Sequence, residues 1–157
     1  MPTWAFDAIG TRWQIDSEQP LPDEARGVVT DLIDDFDRAW SRFRNDSLIT
    51  RLATTGTVPV HRDAGAMLDL IAEMSAMTRG AINPLVGGSL AALGYDASYT
   101  LRGGDVVPAP QDWRARLTWD ERHVTLEQPA GEILDVGSLG KGRLVDLVFA
   151  ALRPYAS

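Results

Sequence analysis

From Ala25 onward the apolar residues Ala25, Val28, Val29, Leu32, Ile33, Phe36, Ala39, Trp40 and Phe43 recur at the spacing of one helical face. A stripe of that length cannot stay in water, so the chain must fold other elements against it. Asp23, just after the short linker Pro20 to Pro22, reads as its N-cap. Asp31, Asp34, Asp35 and Asp37 gather beside the stripe. Paired carboxylates can hold a metal or move protons, but most of these sit off the apolar face and read as a solvated surface. A second stripe, Met67, Leu70, Ile71, Met74 and Met77, predicts another helix, capped by Asp63 and closed by a basic turn and C-cap glycine at Arg79 and Gly80. Its methionines read as core filler.

Trp4, Phe6 and Ala8, then Trp13 and Ile15, alternate on either side of Gly10 and predict a hairpin or a bent strand. Asn45 and Asp46 break the long helix, and Ser47 can cap a short one. Val58 to Val60 reads as an edge strand, and Ser89 to Leu93 as a short helix before a turn at Gly94, Tyr95 and Asp96. Ala97 to Ala109 reads as a surface loop. Asp112 to Arg116 follows as a single helical turn and Leu117 to Trp119 as a strand. His123 to Glu127 and Glu132 to Val136 read as a hairpin turning at Pro129, Ala130 and Gly131. The expected class is α+β, mainly antiparallel sheet with packed helices, in a single domain for 157 residues.

A net charge of −7 and a pI near 4.7 argue against a nucleic-acid face, which needs clustered Lys and Arg. Without cysteine there is no thiolate catalysis and no zinc–thiolate site. With only His61 and His123, any metal must be held by oxygen ligands; His123 reads as a solvent-facing strand residue. No signal peptide or membrane span is legible, so the expected location is cytoplasmic.

Leu134, Asp135, Val136, Gly137, Ser138, Leu139, Gly140, Lys141, Gly142 and Arg143 read as strand, tight glycine loop and helix start. Free N–H groups at a helix N-terminus favour an anion, and Lys141 adds a full positive charge. The spacing does not fit a P-loop: only Ser138 and Leu139 separate Gly137 from Gly140, and Gly142 stands where a magnesium-binding hydroxyl belongs. A plain glycine-rich turn with an exposed lysine is the competing reading. Gly80 to Gly88 is likewise too glycine-rich for a helix and too apolar for a linker, as where backbone approaches a ligand. Phe43, flanked by Arg42 and Arg44, could stack on a flavin or adenine ring, or close the helix end on the core.

Four segments together resemble the ApbE family, the FAD:protein FMN transferases: Ala8-Ile9-Gly10-Thr11-Arg12-Trp13, Ser41-Arg42-Phe43-Arg44-Asn45-Asp46-Ser47, Gly80-Ala81-Ile82-Asn83-Pro84-Leu85-Val86-Gly87, and Asp135-Val136-Gly137-Ser138-Leu139-Gly140-Lys141-Gly142. The resemblance implies a T-fold-like domain and a magnesium-dependent transferase. Such an enzyme splits FAD, moves FMN onto a threonine hydroxyl of a target flavoprotein and releases AMP. It implies FAD contacts at Ile9, Phe43, Ala81, Ile82, Asn83, Asp135 and Lys141, a magnesium ligand at Ser138, and a structural role for Asp146. Asn83 stands where the family commonly has Asp. Family members continue beyond Arg153, Pro154 and Tyr155, so the chain is expected either to be truncated or to be completed by a second chain, with little activity alone. A non-catalytic flavin-binding module and an FAD pyrophosphatase are the alternatives, and a non-nucleotide interaction domain a further one.

Overall fold

A computed structural model describes residues 1–96, 100–127, 129 and 131–155. The expected turn residue Ala130, and the start of the expected loop at Ala97, lie outside them. The chain divides into two compact units, Met1–Asp37 with Lys141–Ser157, and Arg38–Gly140. Its architecture is α+β, with two antiparallel sheets and packed helices.

In the first unit, strands β1 (Thr3–Ala8) and β2 (Thr11–Asp16) form the expected hairpin, with Ala8 opposite Thr11 across a two-residue turn at Ile9 and Gly10. Alternation places Trp4, Phe6 and Trp13 on one face, where the Phe6 and Trp13 rings stack and the Arg26 guanidinium lies over Trp4. Helix α1 (Asp23–Trp40) buries Ala25, Val29, Ile33 and Phe36 in this unit. Asp23 is its first residue rather than its cap, since the Pro22 carbonyl already accepts the Arg26 N–H. Its charge still suits the positive helix end. Asp31, Asp34 and Asp35 are exposed, and Asp37 is half-buried. Phe43 lies beyond α1, which stops at Trp40. Helix α6 (Gly140–Leu152) buries Leu144 and Val148, followed by a 3-10 turn at Arg153–Tyr155.

In the second unit, helix α2 (Leu48–Thr55) is capped by Ser47, whose hydroxyl accepts the Thr50 N–H at 3.1 Å. It packs on β3 (Thr57–Pro59) and β5 (His123–Leu126). The sheet order is β3-β5-β4, with β4 at Leu117–Trp119, so β3 is the edge strand its Pro59 permits. His123 is exposed, as expected.

Helix α3 (Ala64–Met77) buries Ala64, Met67, Leu68, Ile71, Ala72 and Ser75. The buried face is rotated from the predicted stripe, leaving Leu70 and Met77 exposed, Met77 at 76%. Small Ala72 and Ser75 face inward because Trp113, on the single turn α5 (Trp113–Arg116), donates its indole N–H to Ser75 Oγ. Asp63 occupies the N-cap position of α3 but its side chain accepts no capping bond; it is buried and lies 3.7 Å from both His61 Nδ1 and Arg62 Nε. The helix closes in a Schellman motif, Gly80 N–H to Ser75 C=O and Arg79 N–H to Ala76 C=O. Arg79, at φ 54°, is the C′ residue of that motif, and the expected glycine, Gly80, follows it with a positive φ of its own, 85°.

Glu132 to Val136 does not form the expected hairpin with β5, whose two edges are already paired with β3 and β4. It runs without regular structure beside the segment leading into helix α4 (Gly87–Ala92), joined by Asp135 N–H to Pro84 C=O and Gly87 N–H to Ile133 C=O. A Cβ on Gly87 would sit 2.6 Å from the Ile133 carbonyl, and one on Gly88 2.6 Å from that of Gly131. These glycines therefore admit a neighbouring stretch of main chain.

Candidate functional site

Within the Arg38–Gly140 unit the site is built around Asp135. Arg42 Nε donates to Asp135 Oδ2 at 2.6 Å, with side-chain exposures of only 6% and 13%. The Gly137 N–H donates to Asp135 Oδ1 at 2.7 Å. Each carboxylate oxygen thus accepts one bond and keeps a lone pair.

Arg42 is held from several sides. Its Nη1 donates to the Tyr95 carbonyl at 2.7 Å. Its guanidinium carbon lies 4.2 Å from the Phe43 ring centroid and 4.6 Å from that of Tyr95. Those two rings meet edge-on at 5.5 Å. Nη2 is buried without a hydrogen-bond partner among the described residues. The loop carrying Arg42 and Phe43 is itself fixed: Arg44 Nε and Nη2 fork onto Asp46 at 2.9 Å each, and the Thr50 hydroxyl donates to the Arg44 carbonyl. The Arg44 fork holds the Asp46 carboxyl below its ordinary value.

Phe43 and Asp135 are thus brought together through Arg42, which the residue pattern had offered only as a flank of Phe43. The cue available in sequence was a cation beside an aromatic with an acidic residue far along the chain, a pairing only the fold makes. Asn83 stands next to Pro84, whose carbonyl pins Asp135. Its Oδ1 accepts the Leu85 N–H and its Nδ2 donates to the Pro110 carbonyl, so the side-chain amide closes its own turn. Ile82 donates its N–H to Thr78 Oγ1, and Ala81 is exposed. Ser138 is exposed in the turn before α6.

Part of the expected loop of open amides is engaged within the turn. Gly137 N–H is taken by Asp135, and the Val136 carbonyl accepts the N–H groups of both Leu139 and Gly140. Gly137 is glycine because a Cβ would sit 2.8 Å from Asp135 Oδ1. In the other unit, Lys141 is exposed in the first turn of α6 and Asp146 exposed further along it. A cation gains nothing from the positive end of a helix, so Lys141 has no stabilising reason to be there. Ile9, in the hairpin turn, has φ 44°, a left-handed conformation that a β-branched residue adopts only under strain.

Among the described residues no group of three or more His, Asp or Glu is placed to hold a metal. Ser138 is the one magnesium ligand expected from this chain, and one hydroxyl is too few for a complete oxygen shell. An apolar cleft lined by Trp40, Ile49, Leu52, His61 and Leu134 lies in the same unit, but it offers almost no polar surface to a dinucleotide. No helix among the described residues is long and apolar enough to cross a membrane.

Solved structures share this fold. A point mutant of the flavin transferase ApbE from Vibrio cholerae superposes with a TM-score of 0.76 at 18% identity, covering 98% of this chain and 56% of that one. The flavinyl transferase ApbE from Pseudomonas stutzeri, in its apo form, gives 0.72 at 20% identity, covering 98% and 53%. The ApbE protein of Thermotoga maritima gives 0.69 at 18%, covering 96% and 52%. The chain therefore spans little more than half the length of these relatives. No curated protein matches it. The model of the ApbE family matches residues 9–156, nearly the whole sequence, and the antiparallel sheets and packed helices agree with the T-fold-like architecture of its solved members: the chain belongs to the ApbE family.

Proposed function

We propose that this chain is the flavin-binding part of an FAD:protein FMN transferase. The observation that carries the reading is the family match over residues 9–156. The reaction is attack by an acceptor threonine hydroxyl on the FMN phosphorus of FAD. A new P–O bond forms to the threonine oxygen, the bond to the AMP oxygen breaks, and the threonine proton is released. In the Arg38–Gly140 unit the proposed FAD contacts are Phe43, Ala81, Ile82, Asn83 and Asp135. Ile9 and Lys141 are contacts carried by the other unit.

Asp135 supports the reading best, since it is fixed on both oxygens and still has acceptor capacity for a ligand hydroxyl or imide N–H. Strain at Ile9 and the unrewarded charge of Lys141 are the other supports. Magnesium, when bound, would neutralise charge developing on the pyrophosphate. Ser138 is the residue of this chain proposed to face it, and the described residues do not complete its shell. That shortfall, with Asn83 closing its own turn, favours a second reading: a flavin-binding module without catalysis.

The two separate cleanly. The chain is incubated with FAD, magnesium and a purified flavoprotein acceptor, and the acceptor is weighed by electrospray mass spectrometry. An added FMN supports transfer. Bound FAD with no FMN added and no AMP released supports the module, and AMP released without an adduct indicates hydrolysis.

A further inference from the structure

Asp135 presents a physical problem for any ligand of the class proposed above. FAD carries two negative charges on its pyrophosphate, and a bare, largely buried carboxylate in its binding surface would repel it. The Arg42 guanidinium answers this, since Nε lies 2.6 Å from Asp135 Oδ2 with both side chains mostly withdrawn from water. Together they form a net-neutral unit that still offers acceptor lone pairs. Arg42 is also held too firmly to leave easily, by the Tyr95 carbonyl and by the faces of Phe43 and Tyr95.

We infer that Arg42 is a positioning residue that converts Asp135 into a charge-neutral hydrogen-bond acceptor, so that this surface reads neutral donor groups on a polyanionic flavin nucleotide without repelling its phosphates. The inference rests on the flavin reading. It places the selectivity for charged over uncharged flavins partly in a pair that need not touch phosphate.

The test compares FAD with riboflavin, which shares the ring but has no phosphate. Affinities for both are measured by fluorescence titration on the wild-type chain, Arg42→Gln, Arg42→Lys and Arg42→Gln with Asp135→Asn. Arg42→Gln exposes an uncompensated charge and is expected to weaken FAD on the order of tenfold more than riboflavin. Arg42→Lys keeps the charge and brings the FAD-to-riboflavin ratio back towards wild type. Asp135→Asn removes the repulsion and does the same in the double variant. If Arg42→Gln weakens both flavins by one common factor, or neither, the inference is overturned and the residue is merely structural. A wild-type chain that binds neither flavin overturns the functional reading, and the inference falls with it.

Discussion

Gly87→Ala strikes the point where the segment leading into α4 crosses the stretch that carries Asp135. The new Cβ would lie 2.6 Å from the Ile133 carbonyl oxygen and 2.9 Å from Ile133 Cβ, against an ordinary contact of 3.4–4 Å. Both obstacles are main chain or close to it, so no flexible side-chain end can swing away. The two segments must part by roughly 0.8 Å, and overpacking of this kind costs about 1–3 kcal/mol. Parting also stretches the bonds Gly87 N–H to Ile133 C=O and Asp135 N–H to Pro84 C=O, now 3.1 and 2.8 Å, each contributing about 0.5–1.5 kcal/mol. The better helix propensity of alanine returns at most about 1 kcal/mol. The net expectation is a loss of about 2 kcal/mol, or about 2–4 °C in Tm for each kcal/mol. Urea denaturation measures it, with Gly142→Ala as the control, because a Cβ there meets nothing within 4 Å. The control should be neutral or gain a few tenths of a kcal/mol up to about 1 kcal/mol. Equal stability of the two variants would refute the close crossing of these segments, and with it the account of how Asp135 is held.

Ser47→Ala removes a fully buried N-cap whose hydroxyl accepts the Thr50 N–H, and should lower the urea midpoint by an amount equivalent to about 1–2 kcal/mol; an unchanged midpoint would contradict the cap. Ile9→Asn places a residue tolerant of left-handed backbone at φ 44° and should raise stability by about 1 kcal/mol. It should also weaken FAD if the isoleucine contacts flavin, and an FAD affinity equal to wild type would remove Ile9 from the site. In acid, two exposed carboxyls matter. The Arg122 and His123 N–H groups hold Asp120 below the ordinary value of 3.8, and the Thr3 hydroxyl and Gln14 amide do the same for Asp16. A depressed folded pKa gives stability that is present above 3.8 and lost as pH falls through the lower folded value. Asp120→Asn should therefore flatten the acid limb of a stability-against-pH curve below pH 3.8 and leave its slope near neutrality unchanged.

What could be read from the sequence was what depends on near neighbours. Gly10 between two alternating runs gave the hairpin, the three-and-four spacing from Ala25 gave α1, and Ser47 after Asn45-Asp46 gave the start of α2. What could not was decided by distant partners. Glu132 to Val136 has the composition of a strand, yet both edges of β5 are filled by β3 and β4, so it lies against Pro84 and Gly87. The face of α3 turned because Trp113 needs Ser75 for its indole N–H. At the candidate site the sequence shows the amides of the glycine loop but not which of them bond within the turn. Gly137 serves the Asp135 carboxylate, and Leu139 and Gly140 serve the Val136 carbonyl. Arg42, separated from Asp135 by most of the chain, became visible as its partner only once folded.

The fixed carboxylate of Asp135 is the proposed flavin contact on which the rest of the site depends. Equilibrium titration of FAD fluorescence with the wild-type chain and with Asp135→Ala tests this most directly, with circular dichroism confirming that both are folded. The prediction is a saturable change for the wild type and an affinity lower by at least about tenfold for the variant, the loss of a hydrogen bond to a charged group. A folded Asp135→Ala chain that binds FAD as tightly as the wild type would contradict it.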